Sequence, residues 1–193
     1  PHIKFLKKLG YHIFLNLMQI DKVSSKDLIK SLNLLKKSKS ISAFYFADSF
    51  GSLNPSDVKK ISNIIKRYWN KEFGFHAHDN CGLALQNALT AIKCGARWID
   101  STIQGMGRGA GNVTTEDLLC EINDIYNLKY NLSPIFKLSQ DQFKKLKQNY
   151  KWGKSIYYHL SAKLQIHPTY IQELLKDDRY EHNEILEIIN SLG

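Results

Sequence analysis

Two histidines, His76 and His78, are the residues whose types and spacing point most directly to chemistry. They lie in residues 73–80, which read Phe-Gly-Phe-His-Ala-His-Asp-Asn and alternate with the two-residue period of a β-strand. Both imidazoles therefore point to one side of the strand, with Cβ atoms roughly 6 to 7 Å apart. Both rings can then bind one divalent cation at about 2.1 Å. The pattern favours a metal site, and its alternative is a pair of ordinary histidines near a strand end.

A glycine-rich loop at residues 105–112 is the second stretch with chemical potential. Its backbone can approach a ligand closely, and Asn112 stands just before a predicted helix. The glycine spacing also fits the dinucleotide-binding fingerprint. That fold requires another parallel strand after the helix, however, and the sequence shows none. A merely flexible loop is the remaining alternative.

An acid and a hydroxyl, Asp48 and Ser49, end another apolar run. Such a pair can hold a carbonyl, a carboxylate or a metal-bound water, but an aspartate at a strand end equally often forms a turn. For Asp79 and Asn80, capping of the next helix is favoured over support of a metal ligand. Tyr157 is predicted to belong to the core, with proton donation at the site as its alternative role.

Four apolar runs, each followed by a helical pattern, must position these residues. The runs begin near residues 11, 43, 73 and 97, a spacing typical of βα units. Strands so continuously apolar are typical of a parallel sheet covered by helices, which predicts an α/β fold. Polar residues gather at the predicted strand ends, where functional groups of parallel α/β proteins lie. These residues are Asn16, Asp48, Ser49, His76, His78 and Asp100.

The pattern changes after about residue 130. Ser139-x-x-Gln142 predicts a helix start, residues 155–164 are predicted helical, His167-Pro168 predicts a short helix, and Asn183 is predicted to cap the last one. We therefore predict about four βα units in residues 1–130 and a small all-helical tail in residues 131–193. Four units are half of the eight that close a TIM barrel. The sheet is either an open, flavodoxin-like one or the C-terminal half of a barrel.

Composition excludes several other classes. The net charge of +9 on 193 residues comes mostly from scattered lysines, so we expect no nucleic-acid partner. No run approaches the roughly 18 apolar residues of a membrane span, so we expect no membrane partner. Three cysteines without a CxxC pair favour a reducing cytoplasm. Because the chain begins with proline, we expect it to be a fragment.

Taken together, these stretches resemble the DRE-TIM metallolyase superfamily, which includes HMG-CoA lyase, and most closely its 4-hydroxy-2-oxo acid aldolases. The resemblance rests on residues 75–80 with the alanine-rich helix after them, on Ile99-Asp100, and on the loop of residues 105–112. Asp48-Ser49-x-Gly51 lies one strand before the histidines, where that family carries a similar motif. The match covers roughly residues 10–128.

This resemblance implies a (βα)8 barrel whose divalent cation is bound by His76 and His78, with Asn112 close to it. The cation is expected to be Mn²⁺, with Mg²⁺ and Co²⁺ as alternatives. Asp48 and Ser49 are expected to hold a 2-oxo acid substrate, and Arg108 to attract its negative charge. The implied reaction is cleavage or formation of a carbon–carbon bond beside the 2-oxo group.

The first-strand motif of that family, which supplies an aspartate ligand and an arginine, has no counterpart in the 193 residues. We therefore expect the chain to be inactive alone and to form a homo-oligomer or associate with a missing N-terminal half. Two alternatives stay open. One is a non-catalytic half-barrel that serves as an interaction module, and the other is a metal-dependent hydrolase of the amidohydrolase kind.

Overall fold

A four-stranded parallel sheet forms the centre of the molecule in the computed structural model, which describes residues 2–193. Its strands are β1 (Phe14–Leu17), β2 (Ala43–Asp48), β3 (Glu72–Ala77) and β4 (Trp98–Ile99), in the order β1-β2-β3-β4. Each pairs in parallel with the next, with Asn16 beside Tyr45 and Ala47 beside His76. The predicted α/β fold with four parallel βα units is confirmed.

Helices follow the strands where the sequence predicts them. They are α2 (Ser25–Leu35), α3 (Pro55–Tyr68), α4 (Ala84–Lys93) and α5 (Thr115–Tyr126), while an unpredicted helix, α1 (His2–Lys8), precedes β1. Ser24 accepts a hydrogen bond from the backbone N–H of Asp27, and Asn54 forms a reciprocal capping box with Asp57. Gly95 follows the end of α4 with a left-handed φ of 98°, as a helix-ending glycine should.

The two faces of the sheet differ in what covers them. Phe44, Phe46 and Phe75 lie on the face covered by α2–α5 and are fully buried. The other face carries Tyr45, His76 and the residues paired with them. There the rings of Phe14 and Trp98, each 42% exposed, stand with centroids 5.1 Å apart. Side chains on this open face are therefore available to a ligand or to another layer.

The chain after residue 130 is helical throughout its regular structure. It forms α6 (Ser133–Leu138), a π-helical turn (Ser139–Phe143), α7 (Lys144–Tyr150), α8 (Ile156–Lys163), α9 (Pro168–Lys176) and α10 (His182–Leu192). Ser139 does not start a helix, because the helix has already begun at Ser133 with Pro134 in its first turn. Asn183 is not the cap of α10, because Glu181 and Glu184 form that capping box.

The tail has a hydrophobic cluster of its own, separate from the core under the sheet. Tyr158, Ile166, Ile171, Ile185 and Ile189 form it, and Ala110 of the glycine-rich loop is buried in the same cluster. The division near residue 130 stays a prediction, since this cluster reaches back into the loop after β4. Within residues 2–193, none of the helices combines the length and apolar composition that crossing a membrane requires.

Candidate functional site

The structure brings the two predicted histidines together at the carboxyl end of β3. His76 lies in the strand, and His78 follows one residue after its end. Their ring centroids are 4.9 Å apart, with the ring planes at 78° to each other. This separation lets both imidazoles contact one ion at ordinary metal–nitrogen distances.

Both rings are held through Nδ1. His76 Nδ1 lies 3.0 Å from Oδ2 of Asp100, and His78 Nδ1 lies 3.0 Å from the main-chain oxygen of Asp48. Carbonyl and carboxylate oxygens only accept hydrogen bonds, so Nδ1 carries the proton in each ring. The lone pair of Nε2 is then left for a ligand, which is the arrangement found around metal-bound histidines. Burial lowers the pKa of His78 to about 4, so this ring is neutral at neutral pH.

Asn112 of the glycine-rich loop stands next to the pair. Its backbone forms an antiparallel bridge with His78. Its amide nitrogen donates to the carbonyl of Met106 at 3.1 Å, while its Oδ1 is buried without a hydrogen-bond partner among the described residues. An unpartnered buried acceptor is costly unless something outside the chain satisfies it.

Two glycines of the loop give Asn112 its place. A Cβ at Gly107 would lie 2.5 Å from the Asn112 amide nitrogen. Gly111 has a left-handed φ of 87°, and a Cβ there would lie 2.1 Å from the carbonyl oxygen of Gly105. That carbonyl accepts the N–H of Asn112 at 3.1 Å. The loop is therefore shaped by close contact and is not a merely flexible turn.

These residues fit a divalent cation as a partial ligand set. Two imidazole nitrogens and one amide oxygen suit Mn²⁺, Mg²⁺ or Co²⁺ better than a closed four-coordinate zinc site. Across residues 2–193, histidine, cysteine, aspartate and glutamate form no group of three or more around one point. Metal binding by His76, His78 and Asn112 stays a prediction.

Asp48 contributes its main chain to the site, and its side chain turns away into the following loop. Its carboxylate accepts the N–H groups of Ser52 at 3.0 Å and Leu53 at 3.2 Å. The side chain is completely buried, and this burial raises the pKa of Asp48 to about 7. The geometry gives the carboxylate the turn-forming role that was the alternative for this residue. Substrate binding by Asp48 stays a prediction.

Ser49 and Arg108 connect the loops around the site. The Ser49 hydroxyl accepts the N–H of Gln19 at 2.9 Å. The Arg108 guanidinium donates to the main-chain oxygen of Ser49 at 3.1 Å and lies 3.1 Å from Nε2 of His167. Arg108 is thus turned inward, and it ties the glycine-rich loop both to the end of β2 and to the tail. The sequence alone gives no reason to expect a contact between His167 and Arg108, because 59 residues separate them.

The remaining candidates lie on the periphery. The Tyr157 hydroxyl is hydrogen-bonded to Nδ1 of His182 at 2.6 Å, and Tyr157 lines a cavity of about 710 Å³ between the glycine-rich loop and the tail. Its role as a proton donor stays a prediction. Asp79 accepts the N–H of Ala84 at 3.0 Å near the start of α4, as expected for a capping residue. Asn80 is buried, and its side-chain amide has no partner among the described residues.

Fold and site together define a class: a parallel α/β chain of TIM-barrel type with paired imidazoles at the carboxyl end of its third strand. The profile of the HMGL-like family matches residues 1–141. The chain belongs to the HMGL-like family, which confirms the resemblance to the DRE-TIM enzymes and sets aside the amidohydrolase alternative.

Curated relatives carry the name 4-hydroxy-2-oxovalerate aldolase. The protein from Carboxydothermus hydrogenoformans is 36% identical over 141 residues, which are 72% of this chain and 42% of the relative. The protein from Bacillus thuringiensis is 33% identical over the same share of this chain and 41% of its own length. The chain thus spans about two fifths of the length of these relatives.

Solved structures agree with the fold. The N-terminal domain of a candidate aldolase from Bacteroides vulgatus superposes with a TM-score of 0.84 and 33% identity, over 96% of this chain and 60% of that one. HMG-CoA lyase from Bacillus subtilis superposes with a TM-score of 0.64 over 77% of this chain and 53% of its own. At 19% identity, the second likeness concerns the fold alone.

Proposed function

We propose that this chain supplies the metal-binding part of the active site of a divalent-metal-dependent aldolase that acts on a 2-oxo acid. One observation carries the proposal: two adjacent imidazoles are both held through Nδ1 with Nε2 free, and Asn112, whose backbone pairs with His78, has a buried Oδ1 without a hydrogen-bond partner among the described residues. Family membership and the names of the curated relatives support the same reaction type.

His76, His78 and Asn112 hold the cation, which we propose to be Mn²⁺, with Mg²⁺ and Co²⁺ as alternatives. When bound, such an ion supplies a Lewis acid that stabilises negative charge developing beside the 2-oxo group. The chain itself contributes orientation. The neutral His78 ring carries no proton on the nitrogen that faces the ligand, and the main-chain carbonyl of Asp48 keeps it turned that way.

The substrate carboxylate is drawn to this end of the sheet by Arg108. Its guanidinium lies near enough to His78 to contribute to the lowered pKa of that ring. A fixed positive charge at a partly buried position raises the local concentration of an anion. Ser49 lies between Arg108 and the loop after β1, and we propose that it helps hold the 2-oxo acid while Asp48 keeps the loop folded. Tyr157, on α8 of the tail, is the proposed proton donor.

We further propose that additional βα units complete the barrel over the open face of the sheet. Phe14 and Trp98 leave apolar rings in solvent there, and a layer of the missing strands would bury them. The curated relatives are more than twice as long as the matched region. These units come either from a longer chain or from an associated subunit, and the chain alone is expected to be inactive. A half-barrel interaction module is the second candidate function, and the same open face supports it.

Binding of Mn²⁺ to the 193-residue chain tests the metal assignment without requiring turnover. Isothermal titration calorimetry is expected to show one site in the wild type. His76→Ala and His78→Ala should weaken binding by more than about 100-fold, because each removes a direct ligand. His12→Ala removes an exposed histidine and serves as the matched control.

The proposal fails if the two ligand variants bind Mn²⁺ as tightly as the control. If the wild type binds no Mn²⁺ at millimolar concentration, His76, His78 and Asn112 do not hold the cation by themselves, and the metal assignment for this chain fails. Activity is then assayed in a protein with all eight βα units, as Mn²⁺-dependent release of pyruvate from 4-hydroxy-2-oxovalerate. No release by that protein would contradict the aldolase assignment.

A further inference from the structure

We propose that Asp100 is a positioning residue that fixes the proton of His76 on Nδ1 and thereby presents Nε2 to the cation. The metal-binding part of this inference rests on the proposed function. The tautomer assignment does not, because it follows from the contacts of the chain alone.

The position of Asp100 is set by the sheet. Its backbone N–H donates to the carbonyl of Phe75 at 3.2 Å, so Asp100 is anchored on β3 directly beside His76. Its carboxylate then reaches His76 Nδ1 at 3.0 Å. A carboxylate has no hydrogen to give when ionised, so the imidazole must be the donor. The other ring nitrogen is left as an acceptor, which is the state a metal ligand requires.

Tyr45 supports the carboxylate from the neighbouring strand. Tyr45 lies close to Asp100, and burial together with this negative neighbour raises the pKa of Tyr45, so the phenol keeps its proton and can donate it to the carboxylate. Gly74, paired with Tyr45 in the sheet, makes room for the ring, because a Cβ at Gly74 would lie 2.4 Å from it. Tyr45 on β2, His76 on β3 and Asp100 directly after β4 therefore lie next to one another on the open face.

This second contact matters because the pair is not sealed from water. The side chains of His76 and Asp100 are 25% and 46% exposed. A half-exposed carboxylate can rotate towards solvent, and an isolated surface pair of this kind contributes little orientation. We expect the neighbouring Tyr45 hydroxyl to restrain that rotation.

The two histidines are therefore oriented by different means. His78 is held by a main-chain carbonyl, which no substitution removes, whereas His76 depends on a side chain. Loss of the Asp100 carboxylate should change the tautomer of His76 and leave the tautomer of His78 unchanged. His78 thus serves as an internal control within each variant.

The test uses Asp100→Ala and Tyr45→Phe, with Asp124→Ala as the matched control that removes an exposed carboxylate elsewhere. Long-range proton–nitrogen NMR of the histidine rings, on metal-free protein at a pH where the rings are neutral, reads the tautomer directly. We expect His76 to carry its proton on Nδ1 in the wild type and in Asp124→Ala, and to shift towards the Nε2–H form in Asp100→Ala. Tyr45→Phe should give a smaller shift. The His78 signals should not move in any variant, which also shows that the sheet end is intact.

Affinity for Mn²⁺ is the second readout. Asp100→Ala should weaken binding by about 10- to 100-fold, the usual effect of removing a group that orients a metal-bound histidine. The positioning role is refuted if His76 keeps its Nδ1 proton in Asp100→Ala, or if the wild type already carries the proton on Nε2. If the tautomer shifts as expected while the wild type binds no Mn²⁺, the positioning role of Asp100 stands and the proposed metal function fails.

Discussion

Substitution of Gly111 by alanine tests whether close backbone contact holds the glycine-rich loop in shape. Two costs add at this position. An alanine in left-handed backbone, here at φ 87°, costs roughly 1–2 kcal/mol. Its Cβ would lie 2.1 Å from the Gly105 carbonyl oxygen. That oxygen must retreat by about 1 Å, which breaks its hydrogen bond with Asn112 and costs about 1 kcal/mol more. We expect a total loss of about 2–3 kcal/mol in the free energy of unfolding.

Gly95→Ala is the matched control. Gly95 has a similar φ of 98°, but a Cβ there would meet only the flexible Lys66 side chain at 3.7 Å. Urea unfolding followed by circular dichroism should therefore show a loss of about 1 kcal/mol for Gly95→Ala and at least about 1 kcal/mol more for Gly111→Ala. Only Gly111→Ala should also weaken Mn²⁺ binding, because it displaces Asn112. Equal losses in the two variants would show that backbone strain alone accounts for Gly111 and that the carbonyl contact has no effect.

Two further predictions concern the elements around the site. Asn54→Ala should lower the free energy of unfolding by about 1 kcal/mol in urea titrations, because Asn54 caps α3. Asn63→Ala, which changes an exposed residue of the same helix, should have almost no effect. Similar losses in both variants would contradict the capping role. The pKa of Asp48 is about 7 in the folded chain and near 3.9 in the unfolded chain. Between these pH values the folded state binds more protons than the unfolded state. The free energy of unfolding therefore falls as the pH rises through that window. Asp48→Asn removes this titrating group, so the free energy of unfolding of the variant minus that of the wild type should increase by up to about 4 kcal/mol from pH 4 to pH 7. A difference that stays constant with pH would refute this account.

Local signals in the sequence predict the repeating units well. The caps at Ser24 and Asn54, the ending glycine of α4 and the period-two pattern around His76 each depend on a few neighbouring residues. The convergence of the two histidines with Asn112 also follows, because parallel strands place their carboxyl ends at one edge. A local signal fails at Ser139, where the helix begun by Pro134 continues through a sequence that resembles a cap.

Side-chain directions at the site depend on contacts that are distant in the sequence. The turn of residues 49–53 draws the Asp48 carboxylate away from the histidines, and nothing in Asp48-Ser49 distinguishes this from a carboxylate that faces a ligand. The contact of Arg108 with His167 depends on how the tail folds back over the loop. The sequence identifies Asp100 only as a polar strand end, because its contact with His76 depends on the register of β3 and β4.

The loop that carries Asn112 belongs to both hydrophobic clusters at once. Ala110 is buried among the tail helices, and Val113, three residues later, is buried in the core under the sheet. The loop is therefore packed against both clusters, and replacing either one would require the loop to repack. In protein engineering, a tail taken from a relative would have to be transferred together with that relative's residues 105–112. The transferred loop would then determine the position of Asn112. A substitution in the tail that moves Ala110 is therefore expected to move Asn112 as well.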